Sequence, residues 1–217
     1  MNFIEENYVL NVYNEISESF SNTRYNHWNY VKNFLIKIKE ENKEREIKFL
    51  DLGCGNGKYL SFCEDYETYA VDNSEKLLDI VKEKYPKVNI INSDVTSVFN
   101  DDRNNYFDYI ISVAVIHHLS DKKRRINMIK EMIKLLKKDG KGLISAWSIN
   151  IDKKDYKKID EKNNYLIPWQ NKYERFYHLF EKNELKELLL KFNDKIIILE
   201  EIEECDNWII LFKKINS

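Results

Sequence analysis

Apolar residues recur along the chain with two different spacings. From Glu5 to Glu40 the spacing is helical and predicts two helices, the second with Val31, Phe34, Leu35 and Ile38 on one face. Beyond this segment, short apolar runs alternate with amphipathic stretches. The runs predict strands at 47–53, 68–74, 88–94, 107–115, 141–149, 195–201 and 207–214. Helices are predicted between them at 75–85, 121–137 and 181–192, the first capped by Asn73 or Ser74.

This order of elements predicts the fold class. Strand and helix alternate five times, which indicates parallel strands with helices on both faces of the sheet. The run at 107–115 is apolar throughout, as expected of a central strand that is covered on both faces. The last two strands are joined by so few residues that they must form an antiparallel hairpin. We therefore expect an α/β, Rossmann-like fold: a mostly parallel seven-stranded sheet with one antiparallel strand near the C-terminus.

The length of 217 residues fits a single domain with one sizeable core. We divide it into N-terminal helices (1–45), a ligand-binding half (46–149), an insertion (150–180) and a C-terminal helix with its hairpin (181–217). The insertion is polar and weakly patterned, and we expect it to lie near the functional site.

Composition narrows the location and the partners. No apolar run reaches the roughly 20 residues that a membrane span needs, the N-terminus lacks a signal-peptide pattern, and the three cysteines form no C-x-x-C pair. These features favour a cytosolic or nuclear protein without a disulfide framework or an internal zinc site. The net charge of −2 argues against a surface that binds nucleic acid everywhere. Basic patches at 122–125, 137–141 and 153–158 leave local RNA contacts open, although each also fits a solvated surface.

A glycine-rich loop follows the first strand. The sequence DLGCGNG places Asp51 before Gly53, Gly55 and Gly57, which let the backbone approach a ligand closely. A dinucleotide-binding loop would need its third glycine at the position of Lys58. A ligand with a positive centre and no pyrophosphate fits better, because Asp51 can face an ammonium or sulfonium group. S-adenosylmethionine meets this description.

Two further acids end the next two strands. Asp72 lies about 20 residues beyond the first glycine, where an acid accepts hydrogen bonds from ribose hydroxyls. Asp94 ends the third strand, where a carboxylate can accept from an adenine amino group. Acids can begin loops by chance, but three of them at one sheet edge favour a cofactor site. Val95 and Ala114 complete the residues predicted to bind the cofactor.

The fourth strand ends in two histidines. His117 and His118 should stand at the same sheet edge, so at least one is expected to face the cleft that holds the reactive methyl group. We expect His117 to contact the substrate, the alternative being a structural role, and His118 to pack or to cap the following helix. A metal site is not expected, because no second cluster of ligands has suitable spacing.

Five motifs connect the chain with a known family. They are TRYNHW (23–28), FLDLGCGNGKYL (49–60), ISVAVIHHLS (111–120) with the following arginine pair, LIPWQ (166–170) and RFYHLF (175–180). With these motifs the chain resembles the stand-alone form of the eukaryotic tRNA wobble-uridine methyltransferases. The glycine motif is common to all class I methyltransferases, whereas the other four are more specific.

The resemblance implies an activity and a set of residues. The family esterifies the carboxylate of 5-carboxymethyluridine in the tRNA anticodon loop with S-adenosylmethionine, as a heterodimer with a small zinc-binding activator protein. A carboxylate is already ionised at pH 7, so the reaction needs its orientation rather than a strong base. Arg24 of the TRY motif is expected to orient it, with His117 as hydrogen-bond donor. The motifs assign substrate binding to Tyr25, Arg124, Arg125, Trp169, Arg175 and Tyr177.

Two surfaces are predicted to meet partners. The third strand lies at a sheet edge in this topology and carries one charge, Asp94. An activator could add a strand at this edge, the alternative being that a helix or loop of this chain covers it. RNA phosphates are expected on the basic run 122–125, of which Arg124 and Arg125 cannot both face the RNA, and on 153–158, where Tyr156 could stack on a base. A small-molecule methyltransferase and a non-catalytic cofactor-binding protein remain as alternatives.

Overall fold

The N-terminal part of the chain is helical in the computed structural model, which describes residues 2–24, 26–43, 45–99, 103–152 and 154–216. α1 (Phe3–Glu5) leads through a π-helical stretch at Glu6–Leu10 into α2 (Asn11–Ser21), and α3 spans Asn29–Glu41. The predicted apolar face of α3 is buried, with all four of its residues in the core. Three more helices follow, α4 (Glu75–Lys84), α5 (Lys122–Leu135) and α6 (Glu184–Leu190).

The strands form two sheets. In chain order they are β1 (Lys48–Leu52), β2 (Glu67–Asp72), β3 (Asn89–Asn92), β4 (Phe107–Ser112), β5 (Leu136–Trp147), β6 (Lys157–Lys158), β7 (Asn164–Trp169), β8 (Tyr173–His178), β9 (Ile196–Glu204) and β10 (Asn207–Lys214). The larger sheet has the order β3-β2-β1-β4-β5-β10-β9, and β6, β7 and β8 form a separate three-stranded sheet.

The larger sheet confirms the predicted α/β fold. β1 to β5 pair in parallel, whereas β10 runs antiparallel to both of its neighbours, β5 and β9. Successive side chains of β1 point to opposite faces, so that Phe49 packs with α3 while Leu50 packs with α5 and α6. Ser74 caps α4 by accepting a hydrogen bond from the Leu77 amide. The sheet is therefore covered by helices on both faces.

The fourth strand is shorter than predicted. β4 stops at Ser112, whose hydroxyl donates to the Leu52 carbonyl at 2.7 Å. The following residues leave the sheet and lead to a 3-10 turn at Ile116–His118. Among them, Ala114 has a positive φ of 61°. The apolar run continues past the strand because these residues turn inward over the strand ends instead of extending the sheet.

The polar insertion contains a small sheet that the pattern did not predict. β7 and β8 pair in antiparallel register along their whole length. Alternation is weak because Pro168 and several polar residues interrupt it, yet Tyr165 and Tyr177 are buried together. The Trp169 ring lies 6.0 Å from the ring of Phe20. The small sheet therefore packs against α2.

A two-residue turn joins β9 to β10. Cys205 and Asp206 have φ values of 50° and 57°, the left-handed conformation that a type I′ hairpin turn requires at both central positions. Glu204 pairs with Asn207 across the turn. The predicted antiparallel hairpin is thereby confirmed, and Asn207 is placed opposite Trp147, the last residue of β5.

The contact between β5 and β10 yields a stability prediction. A Cβ on Gly142 would overlap the ring of Phe212. We expect Gly142→Ala to lower the free energy of unfolding by about 1–3 kcal/mol, the usual cost of overpacking a core. In a Phe212→Leu background, which lacks the overlapping ring atoms, the same change should be nearly neutral. Denaturant unfolding of the four proteins measures this, and equal stability of wild type and Gly142→Ala contradicts it.

Candidate active site

A cavity of about 510 Å³ lies at the carboxyl ends of the parallel strands. It is located where the strand order reverses, between β1 and β4, the usual position for a ligand in an open α/β sheet. Most of the site residues predicted from the sequence line it, namely Arg24, Asp51, Gly53, Gly55, Asp72, Asp94, Val95, Ala114, His117, Arg124 and Tyr177. Tyr13 and Phe20 of α2 line it as well, so α2 and β8 together form a roof over the strand ends.

The glycine loop turns sharply at the edge of this cavity. The Gly53 and Cys54 amides both donate to the Val71 carbonyl, at 2.7 and 2.8 Å. Gly53 has a φ of 80°, and a Cβ there would overlap Val115. Only glycine fits this position, because both the conformation and the space exclude a side chain. Gly57, also predicted for the site, lies behind the wall against Leu60.

Two carboxylates stand beside the loop, Asp51 buried and Asp72 half-buried. Asp72 accepts hydrogen bonds from the amides of Gly55 and Ser74, each at 2.9 Å. Burial raises the pKa of Asp72, and these amide donors offset part of that effect. Asp51 is 3 % exposed, and burial together with the neighbouring Asp72 raises its pKa to about 8. A cationic ligand with hydroxyl donors would stabilise both carboxylates in their ionised form, so these residues fit the predicted S-adenosylmethionine.

The third acid is tied to the N-terminal helix. Asp94 accepts from Arg124 at 2.6 Å and from the Thr96 amide at 2.8 Å. Burial opposes its ionisation, but these hydrogen bonds prevail and hold the pKa of Asp94 below its ordinary value. Arg124 also binds the buried Glu5 carboxylate of α1 at 2.8 Å. Glu5 lines the cavity, so this bridge fastens the start of the chain over the strand ends.

The two arginines expected to bind RNA are engaged inside the protein, which corrects that expectation. Arg124 is neutralised by Glu5 and Asp94. Arg125 is 5 % exposed and donates to the Leu119 carbonyl at 2.8 Å. On α5 the Arg125 side chain turns toward the core and Arg124 lines the cavity, whereas Lys122 and Lys123 are exposed.

His117 is held as a neutral hydrogen-bond donor. It is 1 % exposed, and its ring stacks on Tyr177 at 4.8 Å with an angle of 11° between the planes. Its Nδ1 accepts from the Trp147 amide at 3.3 Å, and burial holds the pKa of His117 well below its usual range. The proton therefore resides on Nε2.

His118 belongs to the roof. Its Nδ1 donates to the Phe176 carbonyl at 2.9 Å, which leaves Nε2 to accept from the Tyr13 hydroxyl at 3.0 Å. Burial lowers the pKa of His118 to about 3. Because both nitrogens are satisfied in the neutral form, His118 joins α2 to β8.

The remaining predicted residues surround Arg24 on the roof. The Arg24 guanidinium lies over the rings of Phe20 and Trp169, at 5.0 and 5.6 Å. Arg175 is buried, with its guanidinium over the rings of Trp169 at 4.7 Å and Tyr177 at 5.2 Å. Trp169 thus contacts both guanidinium groups, and neither Trp169 nor Arg175 lines the cavity. Tyr25, also predicted to bind substrate, lies outside the described residues.

Lys58 and Asn207 are among the residues of the cavity wall that were not predicted. Lys58 lines the cavity with its Nζ over the rings of Trp28 and Tyr59, at 5.4 and 5.1 Å. Its only sequence signal was a cation in place of a glycine. Asn207 lines the cavity from the start of β10, and nothing in its local sequence marks it. The described residues contain no cluster of three metal-binding side chains.

Known proteins resemble the chain in sequence and in fold. A family profile described as a methyltransferase domain matches residues 50–144. The tRNA (carboxymethyluridine(34)-5-O)-methyltransferase of Schizosaccharomyces pombe is 31% identical over 97% of this chain and 97% of that protein. The Saccharomyces cerevisiae protein of the same name is 34% identical over 76% of this chain and 57% of its own length. An S-adenosylmethionine-dependent methyltransferase from Clostridium acetobutylicum has a TM-score of 0.68 at 17% identity, covering 95% of this chain and 99% of that one.

The strand order and the cavity define a class I, S-adenosylmethionine-dependent methyltransferase fold. Similarity over nearly the whole length then identifies the family. The chain belongs to the tRNA (carboxymethyluridine(34)-5-O)-methyltransferases. The resemblance inferred from the five motifs is thereby confirmed.

The high pKa of Asp51 predicts that cofactor affinity depends on pH. Below pH 8 the free protein holds a proton on Asp51, and a cationic ligand must displace it. Affinity for S-adenosylmethionine should therefore rise between about pH 6 and 7.5, with up to tenfold gain per pH unit and with release of a proton. Calorimetric titrations in buffers of different ionisation enthalpy measure both quantities. Asp51→Asn should bind weakly with no proton release, and a flat wild-type profile contradicts the prediction.

Proposed function

We propose that this chain is the catalytic subunit of an enzyme that esterifies the carboxylate of 5-carboxymethyluridine at the tRNA wobble position. Family membership supports the reaction. The observation that carries the assignment is the charge of the cavity wall, which combines acids with two cations besides the paired Arg124, namely Arg24 and Lys58. Neither cation forms a salt bridge with any described residue of the chain. Such a wall suits a cationic cofactor and an anionic substrate.

The cofactor side of the cavity is built by the strand ends. When bound, S-adenosylmethionine supplies a methyl group on a positively charged sulfur. Asp51 provides the buried negative charge that complements such a ligand. Asp72 is oriented by the Gly55 and Ser74 amides, so its remaining lone pairs are available to hydroxyl groups.

Arg24 and Lys58 are the residues that we assign to the substrate carboxylate. Burial and the nearby Arg24 guanidinium lower the pKa of Lys58 to about 8, and Lys58 has no salt bridge within the described residues that would offset them. A carboxylate placed between the two would offset both effects. Since the carboxylate is already ionised at pH 7, the chain's task is to hold it in the reactive orientation.

His117 supplies a neutral donor in the wall of the same cavity. Its Nε2 carries the proton because Nδ1 is occupied by the Trp147 amide. A neutral donor can orient a carboxylate oxygen and still let the oxygen lose its charge as the ester forms. A third full positive charge would favour the anionic reactant over the neutral product.

RNA contacts are assigned to exposed lysines near the cavity. Lys122 and Lys123 are exposed at the start of α5, next to Arg124 in the cavity wall. Lys154 and Lys157 are exposed in the insertion, and Lys153 of the same run lies outside the described residues. Tyr156, expected to stack on a base, packs in part against the buried aromatic cluster of the small sheet. Phosphates of the tRNA anticodon loop are the anions that these lysines would bind.

Separate variants should distinguish the substrate side from the cofactor side. Arg24→Ala is expected to lower kcat about 100-fold or more and to leave the Kd for S-adenosylmethionine within about twofold, because it removes only substrate positioning. Asp72→Ala should instead raise that Kd at least about tenfold. Methyl transfer to a tRNA anticodon stem–loop and cofactor titration measure the two effects. Arg45→Ala, an exposed arginine paired with Asp108, is the control, and unaltered turnover of Arg24→Ala removes that residue from the mechanism.

We also propose that a small zinc-binding activator protein joins the chain at β3. This strand is an edge of the larger sheet, as predicted, and within the described ranges it pairs with β2 alone. Asn89 and Asn92 are exposed, and Ile90 and Ile91 are half-buried. An exposed edge of this kind can accept a strand from another protein.

Hydrogen exchange tests this interface. Amides of β3 should exchange at least about tenfold more slowly in the complex than in the chain alone, because they gain hydrogen-bond partners. β9, the opposite edge of the same sheet, is the internal control and should not change. The chain alone should be poorly soluble. A soluble, monodisperse and fully active chain without any partner overturns this part of the proposal.

The cellular location is proposed on sequence grounds. In the part of the chain that the structure describes, every helix is too short or too polar to cross a bilayer. We propose a cytosolic or nuclear location and a single methyltransferase domain over residues 1–217.

A further inference from the structure

Among the described residues, one buried side-chain atom of a cavity-lining residue has no hydrogen-bond partner. Asn207 is 2 % exposed and lines the cavity. Its Nδ2 donates to the Cys205 carbonyl at 2.7 Å, while its Oδ1 accepts no hydrogen bond. Exchanging Oδ1 and Nδ2 by a flip of the side-chain amide would place Oδ1 against the Cys205 carbonyl, with two acceptors facing each other. The unpaired atom is therefore the acceptor Oδ1. Buried acceptors are almost always paired in folded proteins, and this one therefore indicates a ligand.

The other unpaired buried polar atoms in the described ranges lie elsewhere. They belong to Tyr66, Arg125 and Arg175, and none of these residues lines the cavity. Among these atoms, Asn207 Oδ1 alone belongs to a residue that a molecule in the cavity can reach.

Asn207 lies beside the groups assigned to the reaction. It is opposite Trp147 in the register of β5 and β10, and the Trp147 amide donates to His117. The Trp147 ring lies 4.7 Å from that of Tyr177, which stacks on His117. Trp147 and Tyr177 both line the cavity, and aromatic walls of this kind stack on nucleobases. One wall thus offers rings for the face of a base and an acceptor for its edge.

We propose that Asn207 accepts a hydrogen bond from the N3–H of a uracil base and thereby selects uridine over cytidine. Uracil carries a donor at N3, whereas cytosine carries an acceptor at the same position. Arg24, Lys58 and the neutral His117 are donors that suit the carboxylate, and Asn207 supplies the acceptor that the base requires. The inference rests on the proposed function and specifies how that substrate is recognised.

The test compares two anticodon stem–loops, one with 5-carboxymethyluridine and one with its N3-methyl derivative. Methyl transfer and RNA binding are measured with the purified chain, together with its activator where activity requires it. Wild type should prefer the first RNA by about 100-fold or more in kcat/KM, because a site built for an N–H group rejects an analogue without it. Asn207→Ala should lower kcat/KM for the first RNA about 10- to 100-fold and for the second less than about threefold.

Asn164→Ala is the matched control. Asn164 also begins a buried strand and is 8 % exposed, but it bonds His178 and Asp160 and does not line the cavity. Its removal should reduce stability and keep the preference between the two RNAs. Asn207→Ala should also keep the wild-type affinity for S-adenosylmethionine.

Equal turnover and equal binding of the two RNAs by wild type overturn the inference and leave the proposed function standing. If neither RNA is methylated, that result contradicts the proposed function. In that case, tighter binding of the RNA with 5-carboxymethyluridine than of the RNA with its N3-methyl derivative still supports the role of Asn207. If Asn207→Ala loses cofactor binding and its preference together, the residue is structural and the inference fails. Should that variant not fold, the wild-type comparison decides, with Asn207→Ser as the second variant.

Discussion

Two neighbouring carboxylates, Asp51 buried and Asp72 half-buried, dominate the electrostatics of the cavity. Asp51 and Asp72 end neighbouring parallel strands, and the register of β1 and β2 brings both strand ends to the same edge. Their proximity and burial make two full negative charges unfavourable, so Asp51 keeps its proton near neutral pH. The folded protein therefore carries an electrostatic cost that a cationic ligand removes. Selection for a positively charged cofactor follows from this pair more than from any other contact in the site.

The substrate side depends on a different part of the chain. Arg24 is positioned by rings of α2 and β7, Phe20 and Trp169, whereas the acids stand on the sheet itself. Tyr13 and His118 connect α2 to the turn after β4. The acids thus stand on the sheet, whereas Arg24, which we assign to the substrate, is held by the roof.

The sequence allowed the sheet and its three acids to be predicted because both signals are local. A short apolar run predicts a strand, and an acid directly after it must stand at the strand's carboxyl end. The small sheet was missed because Pro168 and polar residues break its alternation. The burial of Arg125 depends on the rotation of α5 against Phe180, which local composition does not show. Asn207 depends on a register between strands some 60 residues apart, Trp147 and Asn207 being opposite each other.

The roof joins segments that are far apart in the chain, and this has a consequence for biosynthesis. Tyr13 and Tyr177 approach each other across 164 residues, so the ribosome needs roughly 8–30 s at ~5–20 residues per second to produce the second after the first. α2 can pack early, since Ile16 contacts Leu77 of α4, but the chamber over the strand ends stays open during that interval. The roof groups that we assign to the substrate can therefore assemble only after translation has passed Tyr177.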